Sequence, residues 1–487
     1  LPVEEAAKHC LICGATGSGK TIAIQLFLQS IAPRFRDRKV EPEESERLVV
    51  FDAKCDAVPM LAKLGLHNDD ANVWILNPFD ARSAVWNVSE AVQTPAMARA
   101  LATLLIPEER NTTAPYFTDA ARELIYAVVV ALNTIAGAAW TFRDLLCALD
   151  SRQHIVDVTA RQSSSGRLAA RILDDKRHSP GVLSTMAAKL GRYEQVAALW
   201  ASSRSKRIFS LPEFLTRPGV LVLGNDPVLR DSFWPINAIL LKALTHEILR
   251  GPNTLEPRHW FVLDEFRAME KVDCIHELLN RGRSKGASVL LGLQSIEGLV
   301  DVYGENGAND ILSQCAYKTF LRAGGPKTAE WAENFFSKVR RTETTVTENT
   351  GGDHAGTSLH HSLQERSLFL ASFFLDLPFP GIGQPYVAVC DVPCLREVLI
   401  VRRSFDEILA WCGEPKDKKE APADPAAVPA VVPRTEVREQ TLSPWDEDQE
   451  LQFCGTPTST SKATPGTKPP KPSPQKPALP SRHEIED

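Results

Sequence analysis

The sequence predicts an α/β fold, with a P-loop core on a parallel-rich central sheet, an inserted all-α domain and a disordered Pro-rich C-terminal tail. Three observations predict it. A glycine-rich loop lies between an apolar run and a helical run near residue 14. Apolar, strand-like runs alternate with helical runs on either side of a purely helical stretch, which is typical of parallel strands with right-handed crossovers. The last part of the chain is rich in proline and poor in aromatic residues.

The glycine-rich loop matches the complete phosphate-loop pattern G-x-x-x-x-G-K-[ST]. Residues 9–13 before it are apolar, as in a buried strand, and residues 22–31 after it have helical spacing without Gly or Pro. Glycines let successive N–H groups converge on one anion, and the following helix adds its positive end. We therefore expect ATP here, with Lys20 at its β- and γ-phosphates and the Thr21 hydroxyl on Mg²⁺. The loop consists of Gly14, Ala15, Thr16, Gly17, Ser18, Gly19, Lys20 and Thr21.

The next strand–helix–strand unit extends this sheet. Residues 48–54 have the pattern of a buried strand, residues 57–66 that of a helix, and residues 73–78 that of a second strand. Ligands of open α/β sheets lie at the strand ends. Asp52 and Lys54 follow the first of these strands, so they either face the nucleotide or belong to a solvated loop.

From residue 90 to residue 207 the chain is rich in Ala, Leu and Arg at helical spacing, which predicts the inserted all-α domain. The helix candidates are residues 96–105, 118–133, 142–149, 167–174 and 180–199. Residues 151–207 carry 11 Lys or Arg against four acids, in a chain whose net charge is −6. This local excess indicates either solvated helix faces or a surface that contacts DNA or an acidic protein.

The α/β pattern then resumes with a strand at 219–224 and a helix at 233–249, and it leads to a second anchor of the site. Residues 260–263 are apolar and are followed by Asp264 and Glu265. This is the pattern of a Walker B strand, in which Asp264 holds Mg²⁺ and Glu265 polarises the attacking water. Alone the pattern is weak, but it follows a complete phosphate loop.

One more strand completes the predicted site. A helix at 272–281 precedes a strand at 287–293, and Gln294 follows that strand, so we expect Gln294 beside Asp264 as a γ-phosphate sensor. Arg283 precedes the same strand and therefore lies at the opposite edge of the sheet. It is either an arginine finger that acts in trans on a neighbouring subunit or a cation at a helix end. Residues 318–321 add a further strand.

Four regions follow from these patterns. The nucleotide-binding domain comprises residues 1–89 and 208–413, interrupted by the all-α domain at 90–207, and the disordered tail covers 414–487. Residues 340–366 are polar, and we expect them to form a mobile excursion. The tail is either an inert linker or a segment that docks on partners.

Composition limits the function classes. The net charge of −6 gives no overall nucleic-acid footprint, so any DNA contact must be local. The ten cysteines are scattered, and the Cys10/Cys13 pair is expected to be buried strand rather than a metal or redox pair. Residues 124–142 are uncharged but are expected to form a buried helix and a turn rather than a membrane span. No secretory signal is present, and a chain that begins with Leu is plausibly truncated.

Taken together, these motifs resemble the type IV secretion coupling proteins of the TraD kind. The resemblance covers about residues 9–400. It rests on the loop at 14–21, Phe51-Asp52-Ala53-Lys54, Asn77-Pro78 with Trp86-Asn87, Tyr116-Phe117-Thr118-Asp119-Ala120-Ala121-Arg122, Leu263-Asp264-Glu265-Phe266, Gly282-Arg283, Gly292-Leu293-Gln294-Ser295 and Val302-Tyr303-Gly304.

The resemblance implies a RecA-like ATPase that assembles as a homo-hexamer and pumps single-stranded DNA with its relaxase toward the secretion channel. It implies relaxosome proteins and channel components as partners, and a place at the cytoplasmic face of the bacterial inner membrane. It also implies an N-terminal membrane anchor, which is absent before Leu1, so the chain is expected to be a fragment or to be recruited by a partner. Two alternatives share the motifs: a double-stranded DNA translocase of the FtsK or HerA type, and an adaptor that recruits protein effectors.

Overall fold

A computed structural model of the chain describes residues 3–35, 41, 44–67, 72–107, 115–202, 207–226, 229–269, 271–336, 338–349, 356–413, 428–434 and 442–455. The strands are β1 Cys10–Cys13, β2 Arg47–Phe51, β3 Val73–Leu76, β4 Val85–Trp86, β5 Ile208–Phe209, β6 Gly219–Leu223, β7 Thr254–Leu263, β8 Lys285–Leu293, β9 Tyr317–Phe320, β10 Lys338–Asn349, β11 Gly356–Ser367, β12 Tyr386–Val392 and β13 Glu397–Arg403.

The helices lie between these strands and in the C-terminal part. They are α1 Val3–Ala6, α2 Lys20–Ile31, α3 Ala57–Lys63, α4 Pro95–Leu105, α5 Pro115–Ala136, α6 Phe142–Leu149, α7 Arg152–Ala160, α8 Ser163–Leu173, α9 Ser179–Leu190, α10 Glu194–Ala201, α11 Leu211–Phe214, α12 Arg230–Arg250, α13 Cys274–Arg281, α14 Ile296–Gln314, α15 Pro326–Phe335, α16 Ala371–Asp376, α17 Phe405–Trp411 and α18 Glu447–Cys454. Within α14, Gly304 departs from helical geometry and kinks the helix.

A nine-stranded sheet organises the described residues in the order β13-β12-β9-β1-β8-β7-β2-β6-β3. The strands from β9 to β3 are parallel, whereas β12 and β13 add an antiparallel edge. The predicted α/β class with a parallel-rich central sheet is therefore confirmed. Because β8 separates β1 from β7, the phosphate loop and the end of β7 lie at one edge of the sheet with the end of β8 between them.

The strands β1, β2, β3 and β6 are buried on both faces, which explains why they are continuous apolar runs, whereas the edge strand β13 is largely exposed. One face, with Ile12 and Val50, packs against α2, α3 and α17. The other face, with Leu11 and Phe51, shares one continuous core with helices α4–α10, residues 95–201, which we call the helical block. The helical block therefore packs directly against the sheet that carries the site.

The helices of the helical block lie within the predicted all-α region, whose boundaries stay a prediction. The predicted helix at 142–149 matches α6, and α5 runs three residues beyond its predicted ends on each side before a turn at Gly137. The predicted helix at 180–199 is divided into α9 and α10 by a short 3-10 turn, and α7 was not predicted. Leu124, Val128 and Leu132 recur at helical spacing along α5 and are fully buried, as expected for this stretch.

Two segments near the end of the nucleotide-binding part differ from the sequence predictions. The polar stretch at 340–366, expected to be a mobile excursion, lies largely in β10 and β11, which pair as one long antiparallel hairpin. The β-branched residues of β10, four Thr and two Val, favour such a strand. The apolar run at 369–377 likewise predicts a strand at the sheet edge from its sequence, but it contains α16, where Phe374 is fully buried.

The C-terminal region also differs in part from the expected disordered tail over 414–487, most of which lies outside the described residues. Residues 428–434 lie beside the loop that comes after β3. In this contact Asp80 and Pro433 form a β-bridge, and Arg82 donates hydrogen bonds to the carbonyls of Pro429 and Ala430. Residues 442–455 contain α18 and pack against the helical block, with Trp445 buried in its core. Trp445 and Phe453, both buried, thus anchor residues 442–455 within a region whose overall composition predicts disorder.

Among the described residues, no helix is long and apolar enough to cross a membrane. The same part of the chain contains no cluster of three or more His, Cys, Asp or Glu side chains that would hold a metal ion. Cys10 and Cys13 are buried thiols of β1, as expected.

Candidate nucleotide site

The phosphate loop is held by backbone hydrogen bonds to both strands that flank β1, namely β8 and β9. The Gly14 N–H donates to the Leu293 carbonyl at the end of β8, at 3.0 Å, and the Ala15 N–H donates to the Arg322 carbonyl beyond β9, at 2.8 Å. Gly19 has a φ of 93°, in the left-handed region, and a Cβ there would lie 2.8 Å from the Tyr386 ring. Backbone conformation and this close approach therefore both require glycine at position 19.

Lys20 and Ser18 supply buried polar groups to the loop. Lys20 is only 4% exposed, and its ammonium makes a long contact of 3.5 Å to the Gly14 carbonyl. Burial lowers its pKa, although Asp264 and Glu265 partly oppose this. Among the described residues, the buried Ser18 hydroxyl oxygen has no hydrogen-bond partner. Weakly satisfied donors around a curled backbone fit the oxygens of a nucleotide phosphate.

Asp264 and Glu265 follow β7 at the same edge of the sheet. The Asp264 carboxylate accepts the Glu265 N–H at 2.8 Å, and Glu265 adopts a φ of 49°. A left-handed conformation is unfavourable for a residue other than glycine, and such strain is concentrated at functional sites. The turn brings both carboxylates within reach of the Lys54 ammonium.

Gly292 on β8 makes room for the Asp264 carboxylate. A Cβ at this position would lie 2.5 Å from Asp264 Oδ1 and 3.1 Å from its Cα. The first atom belongs to a side chain, but the second belongs to the backbone of the turn. Rotation of the Asp264 side chain alone would therefore not remove the overlap. Gly292 therefore determines where the carboxylate of Asp264 can lie.

Lys54 and Gln294 join the carboxylates into one cluster. The Lys54 ammonium lies 3.3 Å from Asp264 Oδ2 and 2.9 Å from Glu265 Oε1, and Gln294 Nε2 donates to Glu265 Oε1 at 2.6 Å. Burial alone would lower the pKa of Lys54, but Asp264 and Glu265 outweigh it and raise that pKa. Burial raises the pKa of Glu265, but Lys54, Gln294 and Lys20 together outweigh it, so the net shift is downward and Glu265 remains a carboxylate.

Asp52 and Lys54 both line the cleft that contains Thr21 and Asp264, but their side chains have different partners. Lys54 contacts the two carboxylates, whereas Asp52 is buried and accepts the Asp56 N–H at 2.9 Å, where it helps to shape the turn into α3. Burial raises the pKa of Asp52 to about 6. Thr21 lines the same cleft as Lys54 and Asp264. A hydroxyl and a carboxylate in one cleft are oxygen ligands that suit Mg²⁺.

Comparisons with known proteins show the family to which the chain belongs. Residues 1–383 match the family described as the type IV secretion-system coupling protein DNA-binding domain. The chain belongs to this family of coupling proteins. It is 21% identical over 404 residues to the coupling protein TraD of Escherichia coli K12, which covers 80% of this chain and 53% of TraD. It is 22% identical over 356 residues to the coupling protein VirD4 of Bartonella henselae, which covers 66% of this chain and 54% of VirD4. The chain thus spans about half the length of these relatives.

Solved coupling proteins share the fold. The unbound bacterial conjugative coupling protein TrwBdeltaN70 superposes with a TM-score of 0.63 at 20% identity, over 83% of this chain and 87% of that one. TrwB in complex with ADP and Mg²⁺ gives a TM-score of 0.61 at 19% identity, over 82% of this chain and 86% of that one. At this level of identity the likeness shows the fold.

In this coupling protein the predicted site residues fall into two groups. Lys20, Thr21, Asp264, Glu265 and Gln294 lie at the carboxyl edge of the sheet, where the last two touch. Arg283 is exposed in a 3-10 turn before β8, at the opposite edge, where it acts electrostatically on Glu5 and His9. The placement of Arg283 agrees with the prediction that it lies away from its own nucleotide, and its role in trans remains a prediction.

Three residues near the phosphate loop were not found by sequence reasoning. Phe379 lies 3.7 Å from where a Cβ of Gly17 would stand, and the Arg322 guanidinium lies 4.5 Å from the Phe379 ring centre. Tyr386 packs on Gly19. Arg322 follows β9, whereas Phe379 and Tyr386 come after the β10–β11 hairpin. None of the three belongs to a motif, so only the fold brings them to the loop.

Proposed function

We propose that this coupling protein is an ATP-driven DNA translocase of a conjugative type IV secretion system, which links the relaxosome to the secretion channel. The observation that carries the proposal is the cluster of Lys54, Asp264, Glu265 and Gln294 on the strands beside a complete phosphate loop. Related coupling proteins have been solved with ADP and Mg²⁺ and with an ATP analogue, which supports ATP and Mg²⁺ as the cofactors.

The chain's own groups have distinct tasks in this proposal. Lys20 and the loop N–H groups bind the β- and γ-phosphates, while Thr21 and Asp264 would hold Mg²⁺. When bound, Mg²⁺ neutralises developing charge on the phosphate oxygens. Glu265 is kept ionised by Lys54 and oriented by Gln294, so that it can accept a hydrogen bond from the attacking water.

A cavity next to the carboxylates offers a route for coupling hydrolysis to movement. It measures about 870 Å³, and its walls include Glu265, Gln294, Thr103 and Leu104. The last two belong to α4, so a shift of Glu265 or Gln294 changes a wall shared with the helical block. We propose that this contact transmits the state of the nucleotide to the helical block.

DNA contact is assigned to the helical block because its basic side chains are accessible. Arg161, Arg167, Arg171, Lys176 and Arg177 are all exposed. Arg207 is an exception to the predicted basic surface, since it stacks on Trp74 at 4.4 Å. Exposed guanidinium and ammonium groups on one block suit a phosphate backbone.

We further propose a homo-hexamer at the cytoplasmic face of the bacterial inner membrane, in which Arg283 of one subunit reaches the nucleotide of the next. An exposed arginine at the edge opposite the phosphate loop has the position that this requires. Arg283→Ala subunits mixed into wild-type rings should then reduce turnover by more than their share. A loss of activity in simple proportion to the variant content would contradict the role in trans.

The proposal is tested by ATP turnover with and without DNA at several salt concentrations. We expect single-stranded DNA to stimulate turnover more than duplex DNA, and Lys20→Ala to be nearly inactive with either. The packing of residues 442–455 on the helical block favours the adaptor alternative, because this surface holds a peptide segment of the same chain. Turnover that is insensitive to DNA at every salt concentration would favour the adaptor over the translocase.

A further inference from the structure

Residues 442–455, here called the docked segment, lie on the helical block through two aromatic anchors. Trp445 is 5% exposed and Phe453 is 3% exposed, and their rings stack with centres 5.0 Å apart. The Trp445 ring also lies 5.4 Å from the His154 ring on α7. Both anchors belong to the core of the helical block. Two buried aromatics at the ends of a short helix are typical of a peptide in a groove.

Polar groups of α6 recognise the segment between these anchors. The Trp445 indole N–H donates to Asp144 Oδ1 at 2.8 Å, while the other oxygen of Asp144 accepts from the N-cap residue of α6. Arg143 donates to the Ser443 carbonyl at 2.9 Å, to Gln449 Oε1 at 3.0 Å and to the Pro444 carbonyl. One arginine thus contacts both the extended part and the first helical turn of the segment.

The docked segment is acidic, and one arginine of the helical block lies at each end of its helix. Asp446 caps α18, and Glu447, Asp448 and Glu450 lie in its first turn, where they are exposed. Arg143 contacts the start of the helix, and Arg161 lies beside its end at Gly455. Acids at a helix N-terminus also favour the helix itself. The two arginines therefore favour an acidic segment over a basic one, while the acids of α18 themselves face solvent.

The docked segment is covalently joined to the chain that carries its binding surface. The docked segment is joined to the rest of the chain through residues 435–441, and its contacts lie about 300 positions earlier in the sequence, in α5 to α7. A short tether gives an intramolecular ligand an effective concentration on the order of millimolar. The resident segment can thus occupy the groove while each of its contacts remains individually weak.

We propose that Arg143, Asp144, Cys147, His154 and Arg161 form a receptor for acidic helical peptides, that the docked segment is its resident competitor, and that a partner protein displaces it. The partner's peptide carries a tryptophan, an acid-rich first helical turn and a second aromatic two turns later. The inference rests on the proposed function in one respect only, which is that the partner is a protein delivered for transfer. The receptor would otherwise be open to any acidic helix, and the resident segment sets the affinity that a partner must exceed.

The test measures the binding of a fluorescein-labelled peptide of sequence 442–455 to the full chain by fluorescence anisotropy. Trp445→Ala removes the resident anchor, so this variant should bind the peptide about tenfold or more tightly than wild type. Trp411→Ala, which changes an exposed tryptophan of α17, should bind as wild type does. A peptide with alanine at its tryptophan should not bind. Neither ATP nor DNA is present, so the outcome is separate from that of the proposed function.

Equal binding to wild type and Trp445→Ala, or binding to neither, would overturn the proposal. If Trp445→Ala fails to fold, amide hydrogen exchange in the unaltered chain decides. The amides of α18 should exchange by local opening, about a hundredfold or more faster than those of α5. Equal protection of α18 and α5 would make the segment an integral part of the helical block and would also overturn the proposal.

Discussion

At the residue scale, the site contains two lysines in opposite electrostatic situations. Lys20 is buried beside backbone carbonyls, and burial lowers its pKa. Lys54 lies between Asp264 and Glu265, which raise its pKa against the effect of burial. Lys20 is therefore available to an incoming phosphate, whereas Lys54 is engaged with the carboxylates. This division assigns to Lys54 the task of keeping Glu265 charged and in place.

Replacement of Lys54 tests that assignment. Lys54→Met should lower ATP turnover by about 10- to 100-fold, because Glu265 loses the cation that holds it ionised. Lys54→Arg should retain more activity than Lys54→Met. Lys327→Met, which removes an exposed lysine of α15, is the matched control. Steady-state turnover at several Mg²⁺ concentrations is the measurement, and wild-type turnover in Lys54→Met would refute the assignment.

Gly292 provides a second test at this scale. Gly292→Ala places a methyl group 2.5 Å from Asp264 Oδ1 and should displace the carboxylate that would hold Mg²⁺. We expect a loss of about 1–3 kcal/mol in unfolding free energy and a weaker dependence of nucleotide binding on Mg²⁺. Gly381→Ala, where an added Cβ meets nothing within 4 Å, is the control. Unchanged Mg²⁺ dependence in Gly292→Ala would show that Asp264 tolerates the methyl group.

At the element scale, the parts of the fold that the sequence predicts best are buried strands next to motifs. β1 and the last parts of β7 and β8, residues 260–263 and 287–293, are apolar runs that lead to Gly14, Asp264 and Gln294, so these strand ends and their functional residues are visible in the sequence. The first part of β7, residues 254–259, is polar and was not predicted. The sequence of β10 and β11 lacks an apolar alternation, and α16 lies in an aromatic-rich run without a clear period. The docked segment depends on partners about 300 positions away, such as Asp144 for Trp445. Phe379 and Tyr386 were missed for the same reason, since only tertiary structure brings them to the phosphate loop.

The entry to β1 makes a pH-dependent contribution to stability. His9 is buried and neutral: its Nδ1 accepts from the Val289 N–H at 3.2 Å, and its Nε2–H donates to the Leu279 carbonyl at 3.0 Å. Burial lowers the pKa of His9 to about 4. The unfolded chain takes up this proton below about pH 6.5, whereas the folded protein does so only near pH 4. Stability should therefore fall as the pH drops from about 6.5 to 4, by on the order of 3 kcal/mol.

Urea unfolding across this pH range in wild type and His9→Gln measures that contribution. The variant is expected to be less stable at neutral pH but to lose less stability on acidification. His246→Gln, which changes an exposed histidine of α12, should keep the wild-type pH dependence. An identical pH dependence in His9→Gln and wild type would contradict the linkage to His9.

At the scale of the whole molecule, the sheet, the helical block and the docked segment form a continuous series of contacts. The sheet and the helical block share one core, and the cavity beside Glu265 has α4 as part of its wall. The docked segment covers α6 and α7 within the same block. Events at the nucleotide therefore have a direct structural path to the surface that we assign to DNA and to a partner peptide.

The central claim is that ATP hydrolysis at this site drives movement along single-stranded DNA, and its most direct test is displacement of streptavidin from an end-biotinylated single strand. We predict ATP-dependent displacement by the wild-type protein, none with a non-hydrolysable analogue and none by Lys20→Ala. ATP turnover without displacement from either end of the strand would contradict the claim.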